Sequence, residues 1–253
     1  MSKESGLGAR YAYDGYDLSN DTQMFGNIDK TMQLLEVPGI DVSAMERITG
    51  ELDGAINWKT YFNPSALKQH AALKGMPRTD RIASYWHRST IGTPVASLVV
   101  KQFSYSTGRE KNGMLLGDVK TMADASWLDW GYGITAYGRT DTTATNGAGV
   151  DFGDPTPGAY NFGLQAYLQV SAFSGTTCTI KLQSSTDNGG TDAFSDVIGG
   201  AFTAVTGGAP LSQKISTARD QTVERYQRVV TSGTFTSITF SVAVVLNITD
   251  MTI

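Results

Sequence analysis

The side chains that carry out most protein chemistry are scarce in this chain and poorly spaced for it. There are two histidines, His70 and His87, and one cysteine, Cys178, in 253 residues. A Ser-His-Asp arrangement needs a histidine held beside a nucleophile. His70 falls inside a short predicted helix and His87 at a strand end, and neither lies in an elbow or a Gly-rich turn. Zinc takes three or four ligands, which two histidines and one distant cysteine do not supply. Gly6-Leu-Gly8 opens no strand-to-helix turn, so it is no dinucleotide fingerprint, and no Gly-Lys-Thr phosphate loop is present. Asp151-Phe-Gly-Asp154 has the letters of the kinase metal-binding tripeptide without the rest of that signature. Asp187, Asn188, Asp192 and Asp196 suit either a calcium loop or an ordinary turn, without EF-hand spacing or a terminal Glu. Asn247-Ile-Thr249 is a formal glycosylation acceptor, meaningful only in a secreted eukaryotic chain. The expectation is no catalytic residue, no metal and no cofactor, and a structural or binding role.

Two groups of residues suit binding instead. Tyr167 and Phe173 fall on the polar faces of predicted strands, where they either stack on sugar rings or pack against another part of the protein. Tyr11, Tyr13, Tyr16, Leu18, Met24 and Phe25 give the first 26 residues a heavy apolar load without any periodicity. That segment reads as an arm, docked either on a neighbouring subunit or on its own domain. Arg109, Glu110, Lys111 and Asn112 precede Gly113 in a charged Asn-Gly hairpin that projects into solvent or into a partner. Tyr11, Tyr13, Tyr16, Leu18, Phe25, Arg109, Lys111 and Asn112 are the inter-subunit candidates.

The elements that must position these groups are mostly strands. Alternating apolar residues mark Leu164–Ala172, Cys178–Leu182 and Ile238–Leu246 as half-buried strands. With Gly-rich turns between them, they suggest an antiparallel β-sandwich. The first part is mixed, with candidate strands Lys30–Val37, Glu51–Trp58, Asp80–Trp86, Val95–Tyr105, Met114–Met122 and Trp130–Thr140. Along Val95–Tyr105, Ala96, Leu98 and Val100 oppose Ser97 and Lys101, although Val95 and Val99 spoil the alternation. Asn63 as N-cap, Pro64 after it, and Gly75 and Pro77 at the end predict a helix. A shorter helix is expected over Asp41–Ile48.

Composition separates two parts. Residues 1–140 hold 15 Lys and Arg and 15 Asp and Glu. That leaves 5 of 20 cations and 9 of 24 anions for residues 141–253, which therefore carry the whole net charge of −4. A chain without a basic excess lacks the footprint of a nucleic-acid reader. No run reaches the length of a membrane span, and Met1 to Arg10 has no apolar stretch of the kind a secretion signal needs. A single cysteine excludes an internal disulfide framework and suits a reducing cytoplasm. The polar, Gly-rich run Thr140–Gly149 and the prolines after it read as a linker. The expected division is an arm (1–26), a first domain (27–145), a linker (146–158) and a C-terminal β-sandwich (159–253).

The order of several phrases resembles a known family. They are Tyr13-Asp-Gly-Tyr-Asp-Leu-Ser19, Gln33-Leu-Leu-Glu-Val37, Pro38-Gly-Ile-Asp-Val-Ser-Ala-Met-Glu-Arg47, Gly50-Glu-Leu-Asp-Gly54, Tyr61-Phe-Asn-Pro64 and Lys101-Gln-Phe-Ser-Tyr105. Together they resemble the tail tube (major tail) proteins of long-tailed phages that infect actinobacteria. Phe162–Val170, Phe194–Thr203 and Arg225–Val230 resemble the extra C-terminal domain that many of these carry. The resemblance implies a mainly β fold: a two-sheet sandwich or barrel with one helix, plus an antiparallel β-sandwich. It implies homohexameric rings stacked into a tube in the virion tail, assembled in the host cytoplasm. The implied partners are the tape measure protein, a tail terminator and baseplate or tip proteins. Phage DNA would pass through the tube without specific binding, and no membrane would be entered. Two other roles fit the residues alone: a carbohydrate-binding protein acting through the sandwich, and a capsid decoration protein.

Overall fold

The structure is a computed structural model, which describes residues 5–37, 39–41, 43–153 and 159–247. The fold is mainly β. The strands are β1 (Arg10–Tyr13), β2 (Tyr16–Asp17), β3 (Thr22–Glu36), β4 (Arg47–Tyr61), β5 (Arg81–Trp86), β6 (Pro94–Arg109), β7 (Leu115–Ala123) and β8 (Asp129–Gly133). They continue as β9 (Arg139–Asp141), β10 (Val150–Asp151), β11 (Ala159–Tyr160), β12 (Leu164–Ser185), β13 (Ser195–Ala201), β14 (Leu211–Ser216), β15 (Val223–Glu224) and β16 (Tyr226–Leu246). One helix, α1 (Gln69–Leu73), lies among the described residues. All described strand pairs are antiparallel, and 14 strands join one hydrogen-bonded network.

Two apolar cores lie in this network. The first gathers Tyr11, Tyr13, Leu18, Ile56, Trp58, Leu73, Ala83, Leu98, Val119 and Leu128. The second gathers Ile134, Leu164, Leu168, Ile180, Leu182, Val229, Phe240, Val242 and Val244. The cores change over between Leu128 and Ile134, earlier than the boundary expected near residue 145. The reason is strand pairing: β8 pairs with β6 on one side and β16 on the other, and β9 also pairs with β16. The last part of the expected linker, residues 154–158, lies outside the described residues.

The N-terminal segment is not a free arm. Asp14 and Gly15 both have positive φ, 51° and 81°, the backbone of a two-residue hairpin turn between Tyr13 and Tyr16. This Asp-Gly pair was a readable hairpin signal that the arm reading passed over. β1 pairs with β5, which carries Tyr11 and Tyr13 into the first core. A β-carbon on Gly15 would collide with the backbone of Leu211 and Val170, so only glycine fits the close approach of the two halves there.

Polar side chains bind the halves together. Gln169 on β12 accepts from the Gly15 N–H at 2.6 Å and donates to the Ile82 carbonyl at 3.0 Å and the Ser84 hydroxyl at 3.1 Å. The Tyr167 hydroxyl donates to Asp129 at 2.5 Å.

The helices differ most from expectation. α1 spans five residues rather than the stretch from Asn63 to Gly75. Asn63 is occupied elsewhere: its amide donates to Asp21, and its side-chain oxygen accepts the Ser65 N–H in a local turn. Leu67 then takes a left-handed conformation, with φ of 61°, and breaks the helical run. Among the described residues of Asp41–Ile48 no helix forms, because Arg47 and Ile48 pair with Glu36 and Leu35 at the end of the β3–β4 hairpin. Leu164–Ala172 and Cys178–Leu182, expected as two strands, are one strand of 22 residues with register shifts near Ser174–Thr177. Trp130–Thr140, expected as one, is divided into β8 and β9 by a turn ending at Gly138.

Substituting Gln169→Leu orphans the buried Gly15 N–H, while the Ile82 carbonyl keeps the Asp14 N–H as a donor. The expected cost is about 1–3 kcal/mol for that orphaned buried group, read as a lowered midpoint in urea. An unchanged midpoint would show that Gln169 does not bind the halves together.

Candidate functional site

The sites that sequence spacing favoured for chemistry do not converge. His70 Nδ1 lies 3.2 Å from the Tyr105 hydroxyl, with its ring packed on Phe62, while His87 closes a backbone turn with Pro94. Cys178 is buried, and burial pushes its thiol up to about 11. Among the described residues, no group of three or more His, Cys, Asp or Glu is placed to hold a metal ion. The Asp187 carboxylate instead accepts backbone N–H groups from Gly190, Thr191 and Asp192, and Asp192 accepts from Thr186. Those bonds hold Asp187 below the usual carboxylate range and make the stretch an ordinary closed turn. Asp154 and Ile248–Thr249 lie outside the described residues.

Tyr167 and Phe173 do not form a sugar platform. Tyr167 is 1% exposed, and the Lys214 ammonium lies 5.2 Å from its ring centroid. Burial raises its hydroxyl well above the usual range. Phe173 packs against the second core. The inter-subunit candidates divide in the same way. Tyr11, Tyr13 and Leu18 are enclosed in the chain's own core, and Tyr16 and Phe25 pack against it. Phe25 meets Tyr11 and Tyr85 edge-on. Tyr11 and Tyr13 are held there by β1, which pairs with β5 and β2, and all five residues take part in the chain's own packing. Arg109, Lys111 and Asn112 do sit in an exposed turn, closed by Glu110 and Met114 backbone bonds and by Asn112 accepting from the Met114 N–H.

The unusual surface lies elsewhere, on the β3–β4 hairpin. Its base is anchored: Ile56 and Trp58 are buried, Phe25 and Ile28 pack on the same core, and β4 pairs with β7 from Trp58 to Tyr61. Gly54 marks the limit of that support, since a β-carbon there would press on Leu128. Beyond it the two strands continue as a ribbon to Glu36 and Arg47. Neighbouring residues on a strand face opposite ways. Leu34, opposite Thr49, is 62% exposed, while Leu35 and its opposite Ile48 on the other face are 41% and 52% exposed. Val37, Ile40 and Met45 extend the exposed apolar surface toward the tip, and Met32 extends it toward the base. On its outer side β3 pairs with no other strand among the described residues, so a row of backbone donors and acceptors stays open.

A two-stranded ribbon is marginally stable in water on its own. Apolar side chains on both of its faces and an open edge are the features that natural sheets suppress unless something covers them. Burying one such side chain is worth roughly 1.5–3 kcal/mol. Several together match the ~4–15 kcal/mol that association costs in lost freedom. The sequence signal was present in Gln33–Val37 and Met45–Ile48, but the second stretch reads as a helix when strand pairing is unknown.

Comparisons with known proteins add little. Neither a family model nor a curated protein matches the chain. Among solved structures, the SPP1 Dit (gp 19.1) protein, a hub adsorption apparatus of Gram-positive infecting phages, is similar at 11% identity and a TM-score of 0.32, over 94% of this chain and 99% of that one. The phage p2 baseplate in its activated conformation is similar with strontium at 10% identity and with calcium at 11%, both at a TM-score of 0.34. These cover 95% and 96% of this chain and 99% of each of those. At these scores the likenesses carry no argument about function.

Three outcomes test the placement of these groups. Leu34→Ser with Ile48→Ser changes unfolding of the dilute monomer by no more than about 0.5 kcal/mol, as for a surface site. Trp58→Ala costs about 3–5 kcal/mol. Cys178 resists alkylation in the native chain at pH 8 and reacts fully in denaturant; fast native labelling would contradict its enclosure.

Proposed function

We propose that this chain is a structural protein of a phage tail, and that it self-assembles into stacked, sixfold rings forming the tail tube. The observation that carries the reading is the outer β3–β4 ribbon, which bears exposed apolar side chains on both faces and, beyond its base, pairs with no further strand on either edge among the described residues. A surface of that kind calls for a protein partner. The order of the sequence phrases, with their resemblance to tail tube proteins, supplies the identity of the partner: further copies of the chain. An unpaired strand edge is removed most simply by pairing with a neighbour's sheet, and a head-to-tail contact closes into a ring when its rotation permits. On this reading the tape measure protein occupies the bore, a terminator caps one end and tip proteins the other. DNA passes through without specific binding. The location is the virion tail, after assembly in the host cytoplasm.

Electron microscopy of the purified chain at rising concentration tests the reading. Rings or tubes of sixfold symmetry are expected. Gold labelling of virions then separates a tube subunit, labelled along the whole tail, from a hub subunit, labelled only at the tip. A chain that stays monomeric at millimolar concentration and labels no tail would overturn the reading.

A further inference from the structure

The proposed self-association leaves open which surface receives the hairpin, and the charges on the two ends of β4 narrow the choice. Residues 29–53 cover the outer part of the hairpin. They carry six carboxylates, among them Glu36, Asp41, Glu46 and Glu51, against two cations, Lys30 and Arg47, a net of −4. Residues 59–78 run from the other end of β4 through α1. They carry four cations, Lys59, Lys68, Lys74 and Arg78, and no carboxylate, a net of +4. None of these four cations makes an ion pair among the described residues.

The basic end is also apolar. Tyr61, Leu67, Met76 and Leu115 are each 41–55% exposed there. The backbone ties part of this patch together: the Phe62 N–H donates to the Leu115 carbonyl, and Tyr61 pairs with Leu116. Phe62 packs on His70 of α1. The exposed turn with Arg109 and Lys111 adjoins it, since β6 ends at Arg109, opposite Leu115. Each end therefore presents large apolar side chains on a stretch of chain with a net charge, −4 at the hairpin and +4 at the other end, although Asp118, opposite Lys59, and Glu110, beside Arg109, also stand at the basic end. Fifteen residues of β4 separate the ends, about 50 Å of extended strand. A chain cannot bring them together within itself.

We propose that the acidic, apolar tip of the β3–β4 hairpin docks on the basic, apolar patch around α1 of a second copy of this chain. The proposal rests on the self-assembly reading above and names its contact. Apolar burial supplies the affinity; the charged rims set register and on-rate and make the contact sensitive to salt.

The experiment uses full-length chains with reversed charges. The hairpin variant carries Glu46→Lys and Glu51→Lys, the patch variant Lys74→Glu and Arg78→Glu. All four side chains are exposed, and circular dichroism and thermal unfolding confirm that each variant folds. Sedimentation velocity then reads assembly. Each variant alone should need at least tenfold more protein to assemble than the original chain, because like charges meet. A 1:1 mixture of the two should regain assembly, as should one chain carrying all four reversals. Single variants that assemble like the original would overturn this contact and leave self-assembly intact. So would a mixture of folded variants that stays as small as either alone. An original chain that never assembles would overturn the self-assembly reading itself.

Discussion

The constraint on which the rest depends is that a two-stranded ribbon has two faces and no interior. Within the body of the protein, the strands pack their apolar residues into the two cores, although Phe103, Met122, Trp130 and Tyr132 stay half exposed. β3 and β4 pack in this way only as far as Ile28, Ile56 and Gly54. Past that point the chain keeps its apolar residues but has nothing of its own to cover them. The ribbon also carries features that keep such a surface from indiscriminate pairing. Register shifts near Gln23, Gly26 and Gln33 interrupt its ladder, and bulges of this kind bend and twist a strand. Charged residues such as Lys30, Glu36 and Glu51 are interspersed along it. An exposed surface of this kind is selective rather than merely sticky.

A projecting ribbon is useful only if its base is rigid, and the junction between the cores supplies that rigidity. β8 is shared, hydrogen-bonded to β6 of the first core and β16 of the second. Where the β-carbons of Gly131 and Gly133 would sit, the Val244 backbone and the Trp86 ring already press in, so the halves meet at van der Waals distance. Gln169 and Tyr167 add hydrogen bonds that are enclosed on all sides. In a low-dielectric setting such bonds specify one arrangement strongly, because each broken one leaves a buried polar group unpaired. The two compositional parts of the sequence therefore form one continuous sheet network rather than beads on a linker.

Local pattern carried the strands well, and long-range pairing carried what it missed. Ala96, Leu98 and Val100 alternate with Ser97 as a half-buried strand should. The irregular Val95 and Val99 make sense only once β6 is seen to lie between two layers. Val95 then packs with Trp86 and Ala243 of the other half, so both faces of β6 are wanted apolar. The tyrosines of β1 showed the same limit. Their apolar load was legible, but whether it was buried at home or abroad depended on pairing with β5, 70 residues away. The helix starting at Asn63 failed for a comparable reason: a good N-cap is also a good partner for a buried carboxylate, and Asp21 claimed it. Tyr167, read as outward and polar-facing, does point away from its own core. What the sequence did not reveal was that the first core stands on that side.

The neutrality of the first 140 residues was misleading in one instructive way. A net charge of zero describes a sum, whereas assembly depends on where the charges stand. Within that neutral stretch, −4 is gathered at one end of β4 and +4 at the other. Two complementary patches at opposite ends of one strand cannot satisfy each other in a twofold dimer unless both hairpins reach back simultaneously. They suit a heterologous contact, in which each copy gives its tip to the next and offers its patch to the one before. Such a contact leaves a free tip and a free patch after every addition until a ring closes or a terminal partner caps the end. A tail tube needs this polarity, and the proposed contact would build it into every subunit.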